Sequence, residues 1–361
     1  MAAVKGTARL WWLKVHRWTA LLLGLPLALV ALLGSLLVVA RPLDRALHPE
    51  LFAAGPGAAS PLMLETARQA LAREFPRAAL TLRPPREAGD TLQVMVRGDW
   101  RGTVWFDPAT LQERGRRGEH EGFVNAVFEL HSSLLMDDAG KAVLAVIALS
   151  YLALLATGAV LWWPTRWSRA LQVALDRGAL RAWLDLHRTG GAVLGLALGV
   201  SIASGAYMAW RPLSQAVTRV AGAQPVQPPV LPQGGPSGTP LPLDALVAVA
   251  RQQFPLDGRG HVGYVQWAGT HKPLRVRLKL PDDPHPNGLT SVWLQPSNGQ
   301  VLAAQRWDSL DPGARGFSWI YPLHTGALGG PLHEAFNLLL GLGALGLGVS
   351  GAWLWWRRRR P

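Results

Sequence analysis

The chain has 361 residues, 49% of them apolar and only 16% charged, with a net charge of +13 and a mean hydropathy of +0.14. Apolar content this high, with the charges gathered into a few segments, excludes an ordinary soluble two-domain protein, and the absence of cysteine excludes disulfides, thiolate zinc sites, iron–sulfur clusters and covalently attached c-type haem. The basic excess could serve nucleic acid, but it lies at the ends of apolar segments, so the expected partner is the lipid bilayer and no nucleic acid.

In chain order, residues 1–40 are a basic, Trp-containing approach followed by a first span, near 17–40. Pro26 lies inside it and would kink the helix or be absorbed by neighbouring helices. Residues 41–141 form a first extramembrane module. It comprises a loop over 44–63, an amphipathic helix from Leu64 to Phe75 ended by Pro76, and strands Thr91–Arg97 and Gly102–Asp107 around a Gly98-Asp99 hairpin signal. A second amphipathic helix over 123–136 carries His131 and breaks at Asp137-Asp138-Ala139-Gly140. The second span covers 142–163, a basic loop 164–188, and the third span 189–210. A second module, 211–333, contains a Pro/Gly-rich linker over 225–242, a helix at 243–254 and strands near 261–267, 274–280 and 289–295. Residues 334–361 are the fourth span and a basic tail. Each span has the ~20 apolar residues needed to cross a bilayer as a helix.

Basic residues gather before the first span (Lys5, Arg9, Lys14, Arg17), between the second and third (Arg166, Arg169, Arg177, Arg181, Arg188) and at the end (Arg357 to Arg360). By the positive-inside rule both termini and the central loop are cytoplasmic, and the modules lie on the other side.

The chain also repeats itself. A shift of 193 residues carries His131 onto His324, Gly158 onto Gly351 and Leu161-Trp162-Trp163 onto Leu354-Trp355-Trp356 without a gap. A shift of 171 carries His16-Arg17 onto His187-Arg188, Gly24 onto Gly195 and Gly34 onto Gly205, and one of 179 aligns Leu64–Pro76 with Leu243–Pro255. The expected fold is therefore a membrane α-helical protein, four transmembrane helices in a two-fold tandem repeat, with two small α+β modules.

Four histidines stand at equivalent ends of the four spans: His16 and His187 at the cytoplasmic face, His131 and His324 at the outer face. If the repeats pack about a two-fold axis along the membrane normal, each pair faces itself across the bundle. Two facing imidazoles are what six-coordinate haem b requires. The expectation is two non-covalent haems, with His16, His187, His131 and His324 as axial ligands. His333 lies nine residues after His324, where the first repeat has Gly140, and is a substitute ligand, a propionate partner or neither. His48, His120, His261, His271 and His285 have no counterpart and read as surface residues. The repeated glycines would admit either a porphyrin face or close helix packing. Gly341 to Gly346 fits a GxGxxG pattern but lies within an apolar span, so no dinucleotide site is read there.

The HRW and LHRTGG segments that open spans, the FP and VWFDP of the modules, and ELHSSL and YPLHTG before spans ending in LWW together resemble the PepSY-associated transmembrane helix family. That family includes inner-membrane di-haem ferrisiderophore reductases. The resemblance covers His16 to Arg360 and implies periplasmic PepSY-like modules, b-type haem held by the four matching histidines, and reduction of a ferric siderophore or other ferric chelate for iron uptake. The electron donor would be a quinol or another membrane protein, since no flavin or nicotinamide domain is recognisable. Two other classes fit parts of the pattern: a membrane-anchored PepSY regulatory or partner-binding protein, and a transporter or permease component.

Overall fold

The computed structural model describes residues 6–57, 59–232 and 238–359. Lys5, Arg360 and residues 233–237 of the Pro/Gly-rich linker lie outside them. In chain order the elements are α1 (Gly6–Leu47), α2 (Pro49–Phe52), α3 (Met63–Glu74), β1 (Ala79–Arg83), β2 (Leu92–Arg97), β3 (Arg101–Phe106), β4 (Glu113–Gly118), α4 (Phe123–Ser133), α5 (Asp137–Trp162), α6 (Ala179–Ala209), α7 (Arg211–Val220), α8 (Leu243–Gln253), β5 (His261–Trp267), β6 (Leu274–Lys279), β7 (Thr290–Leu294), β8 (Val301–Gln305), α9 (Pro312–Thr325) and α10 (Gly330–Arg357). They form two compact units, one of residues 1–40, 127–213 and 323–361, the other of 41–126 and 214–322.

The first unit is built on α1, α5, α6 and α10, four helices long and apolar enough to cross a membrane. Each is longer than its apolar segment, because the flanking turns continue the helix. α1 runs unbroken for 42 residues through both Pro26 and Pro42, so the start of the expected 44–63 loop is helical. Large side chains such as Leu22, Leu25, Val146, Leu196 and Leu339 point outward, as a lipid environment requires. Inward, Leu27 of α1 packs with Tyr151 and Leu154 of α5, and Leu198 of α6 with Leu340 and Ala344 of α10. A Cβ on Gly341 would lie 2.0 Å from Ser35 Oγ, so part of the GxGxxG-like run serves close crossing of α10 over α1.

The break before the second span falls earlier than the sequence indicates. Asp137 and Asp138 open α5 instead of ending α4, their charges suiting a helix N-terminus. The turn is made by Leu134 and Leu135 at φ of 52° and 59°, with Asp137 at 48°. It is tight enough that a Cβ on Gly140 would fall 1.6 Å from the Ser133 carbonyl oxygen. At the equivalent turn Gly326 and Gly330 take the positive φ, at 87° and 60°, and position 333 accommodates histidine. The Gly140/His333 mismatch thus has a local steric cause.

The second unit contains one antiparallel eight-stranded sheet of order β4-β3-β2-β1-β5-β6-β7-β8. This differs from the two separate small sheets expected, because β1 pairs with β5, Leu80 opposite Trp267 and Leu82 opposite Val265. β1, β4 and β8 are strands additional to those expected from the sequence. ALTLR is short and followed by two prolines, and ERGRRG has the glycine and charge of a loop, yet it is held as an edge strand against β3. α3 and α8 cover one face, where Leu71, Leu82, Val94, Leu246, Val265 and Val276 are at most 2% exposed. Each such side chain contributes about 1.5–3 kcal/mol by burial.

Candidate functional site

The four histidines expected to act together share one local construction. His16 of α1 lies over Gly158 of α5, where a Cβ would come 3.3 Å from the ring, and His187 of α6 lies over Gly351 of α10 at 3.2 Å. His131 of α4 lies over Gly34 of α1 at 2.8 Å, and His324 of α9 over Gly205 of α6 at 3.0 Å. Here the repeated glycines make room for an imidazole, a third role beside the two weighed from sequence. Gly24 and Gly195 meet no histidine.

Each ring is fixed through Nδ1. In His131 it donates to the Val30 carbonyl at 2.8 Å, and in His324 to the Ser201 carbonyl at 3.0 Å, with Ser204 Oγ at 3.1 Å. A carbonyl can only accept, so the proton is on Nδ1. In His16 the partner is Thr157 Oγ1 at 2.9 Å and in His187 it is Ser350 Oγ at 2.9 Å. Both hydroxyls already donate to carbonyls of their own helices, Leu154 and Leu347, so both accept from the imidazole. In all four residues, therefore, Nε2 carries the lone pair, the tautomer a metal-ligating histidine needs.

One of the two expected pairs is in ring contact. The rings of His131 and His324 face each other with centroids 6.2 Å apart and planes inclined by 32°. Imidazoles bound on opposite sides of one metal, with metal–nitrogen bonds of ~2 Å and centroids about 1 Å behind the bonding nitrogen, stand about 6 Å apart. His16 and His187 are within electrostatic reach of one another. Beside His187 a cavity of about 200 Å³ opens between α6 and α10, lined by Trp183, Gly190, Leu194, Gly343 and Leu347. In the residues of α6 that follow His187, Arg188 Nε and Thr189 Oγ1 are buried without a hydrogen-bond partner, while another nitrogen of the Arg188 guanidinium lies 3.7 Å from Asp185. Among the described residues no group of three or more His, Asp or Glu side chains converges on a metal site. The His131–His324 pair offers two nitrogens, a donor set that suits a metal whose other ligands come from a macrocycle.

His333 stands in the first turn of α10 against Gly329, while the ring facing His131 is that of His324. Of the histidines read as surface residues, His120 and His271 are exposed and His48 bonds Glu50 at 2.9 Å. His285 corrects that reading. It is 4% exposed, in a loop of the second unit, with its ring 4.4 Å from that of Tyr321. Its Nδ1 accepts the Asn287 N–H at 3.1 Å, the reverse of the arrangement in the four paired histidines. The anchors Thr157 and Ser350 were not singled out by sequence, although both precede a repeated glycine at the same 193-residue shift.

A family model described as "PepSY-associated TM region" matches residues 13–358. The chain belongs to this family. The match runs from just before His16 through α10 and so includes all four anchored histidines of this PepSY-associated protein. No curated protein matches it.

Proposed function

We propose that this PepSY-associated protein is a b-type di-haem oxidoreductase of the bacterial inner membrane, passing electrons outward to reduce a periplasmic ferric chelate, such as iron in a siderophore. The observation that carries the reading is the His131–His324 pair, facing at 6.2 Å with both Nδ1 protons committed to carbonyls. His16 and His187 would hold a second haem, and Arg188 and Thr189 would meet its propionates. Bound haem supplies one-electron chemistry between its ferric and ferrous forms. The chain's own residues fix the four imidazole rings through Nδ1 and leave each Nε2 lone pair free, and these rings would hold the haems among apolar helices.

The repeat belongs to the same proposal. The mirrored sheet order and the four histidine–glycine contacts at shifts of 193 and 171 support a duplicated unit with two PepSY-like modules. The basic clusters support cytoplasmic termini. A quinol giving two electrons and releasing two protons would reduce two Fe(III) to Fe(II), and hard-oxygen chelates hold Fe(II) more weakly. One haem cannot bridge ~30 Å of hydrocarbon, whereas two along the normal can relay.

The test is the visible spectrum of protein purified from haem-replete cells, followed by re-oxidation of the reduced protein with a ferric chelate. Two low-spin b-type haems per chain, re-oxidised with stoichiometric Fe(II) release, are expected. A colourless preparation would overturn the reading and favour a regulatory or partner-binding role.

A further inference from the structure

The face of the sheet opposite α3 and α8 carries more positive than negative charge: Arg83, Arg275, Arg277 and Lys279 lie on it, and Asp283 is a carboxylate within electrostatic reach of Arg277 and Lys279. Alternation along the strands places Arg83, Tyr264, Arg275 and Arg277 there, because Leu82, Val265 and Val276 fill the core face. Tyr264 pairs with Arg277 across β5 and β6, and Arg275 with Trp293 across β6 and β7. The Arg277 guanidinium lies 5.3 Å from the Tyr264 ring centre, and that of Arg275 lies 4.8 Å from that of Trp293. Arg275 donates to Ser291 Oγ at 3.0 Å. Arg277 Nε and Trp293 Nε1 are buried donors without partners.

Among the described residues no carboxylate forms an ion pair with Arg83, Arg275 or Arg277. Asp283, in the loop after β6, is directed at the backbone N–H groups of His285 at 2.9 Å and Leu289 at 2.5 Å, so its one charge reaches Arg277 and Lys279 only through space and leaves the cluster net positive. Burial, with Arg277 alongside, pushes Arg275 down to about 10, and burial likewise lowers Arg83. Removing a cation from water is costly even after relaxation, and a cation–π contact returns only part of that cost. The aromatic rings therefore orient these guanidinium groups without balancing their charge.

We propose that Arg83, Arg275 and Arg277 form a binding site for a small polyanion carrying two or three carboxylate or phosphate groups. The spacing selects the class. Arg275 and Arg277 are two residues apart on one strand, about 7 Å, and Arg83 lies two strands from Arg277, about 10 Å. Long side chains from those positions can converge on one molecule with several anionic groups, whereas a monoanion such as acetate would engage only one fork. Bidentate guanidinium–oxyanion bonds would also use the free Arg277 Nε. The site lies within the second unit and does not depend on haem. A ferric chelate with free carboxylates belongs to the same ligand class.

The test is calorimetric titration of the full chain in nanodiscs of neutral zwitterionic lipid, with citrate and with pyrophosphate as probes. Saturable binding of one molecule per chain, weakening as salt is raised and absent with acetate, is expected for at least one probe. Arg275→Gln and Arg277→Gln should each weaken it by tenfold or more, and Arg277→Lys by less, since charge is kept but the fork is lost. Should the glutamine variants fail to fold, a probe-induced rise in the wild-type melting temperature, smaller in Arg277→Lys, reads the same site. Repeating the titration with anionic lipid separates the sources, for competition there identifies a lipid headgroup as the anion bound. Failure of both probes to bind in neutral nanodiscs, together with anionic-lipid binding indifferent to the arginine substitutions, would overturn the proposal. Probe binding unchanged in the variants would do so as well.

Discussion

Glu65 and Asp244 cap each other's helices. The Asp244 carboxylate at the start of α8 accepts the backbone N–H groups of Leu64 and Glu65 at 3.1 and 2.9 Å, and the Glu65 carboxylate at the start of α3 accepts that of Leu243 at 3.1 Å. The two residues are equivalent under the 179-residue shift, so each half of the unit supplies the acceptor that the other half's first turn lacks. The exchange ties α3 to α8 at the helix ends, over the β1–β5 junction of the sheet.

Asp244→Ala should therefore destabilise the second unit by about 1–2 kcal/mol, the usual worth of a lost cap. Glu65→Ala should cost more, about 1–3 kcal/mol, because it leaves the buried Leu243 N–H and the half-buried Arg68 guanidinium without their acceptor. Burial opposes the Glu65 charge, but hydrogen bonds from Arg68, Gln69 and Leu243 outweigh it and hold its carboxyl below the usual range. The folded state thus binds its proton less readily than the unfolded one, and the stabilisation is complete above ordinary carboxylate pH and lost as pH falls through the folded value. Tryptophan-fluorescence melting of the full chain from pH 7 to pH 3 checks this. A Glu65→Gln variant that loses as much stability on acidification as the wild type would refute it.

Replacing one imidazole of a true axial pair should abolish or convert to high spin the same haem as replacing the other. His131→Ala, His324→Ala and the double variant are expected to share one optical and paramagnetic-resonance phenotype, because each breaks a single unit. His16→Ala and His187→Ala should share another. His333→Ala should leave both spectra intact. Loss of the outer signal in His333→Ala with retention in His324→Ala would transfer the ligand role one helix onward.

The glycines beneath the histidines give a finer probe. Gly34→Ala and Gly205→Ala would put a methyl 2.8 and 3.0 Å from the ring carbons of His131 and His324, so the rings must shift. Altered spectra or potential of the outer haem are expected from both. Gly195→Ala, where nothing lies within 4 Å, is the matched control and should behave as wild type. Equal effects at Gly205 and Gly195 would count against the packing role.

The facing of His131 and His324 and the four apolar helices were legible from sequence because repetition marks the first and composition the second. The shared sheet was not. β4 carries no apolar alternation, and the pairing of β1 with β5 joins residues about 185 apart, a contact no local pattern encodes. The burial of His285 was hidden for a related reason, since its partners Phe317 and Tyr321 arrive from α9, some thirty residues later. The positive φ of Leu134 and Leu135 likewise departs from ordinary residue preference, so the break before α5 was read a few residues late.

Sidedness can be settled independently of any cofactor. Reporter fusions after Arg169 and after Arg359 should report cytoplasm, and fusions at Gly89 and Gly269 periplasm, as the basic clusters require. A cytoplasmic signal at Gly269 would make four the wrong number of spans.

His285 should make the second unit acid-sensitive. Burial, then Arg277, Lys279 and Arg86 nearby, push it down to about 3 from an ordinary value of 6.5. The folded protein keeps the ring neutral where the unfolded chain would protonate it, so its contribution is intact above pH 6.5 and is lost progressively between pH 6.5 and about 3. His285→Phe keeps an aromatic ring against Phe317 and Tyr321 but cannot titrate. It also leaves the Asn287 N–H without its acceptor, at about 1 kcal/mol. The variant is therefore expected to be slightly less stable than wild type at pH 8, yet to lose less stability between pH 6.5 and pH 5. Parallel melting-temperature profiles for the two proteins over that interval would show that His285 is not the group responsible.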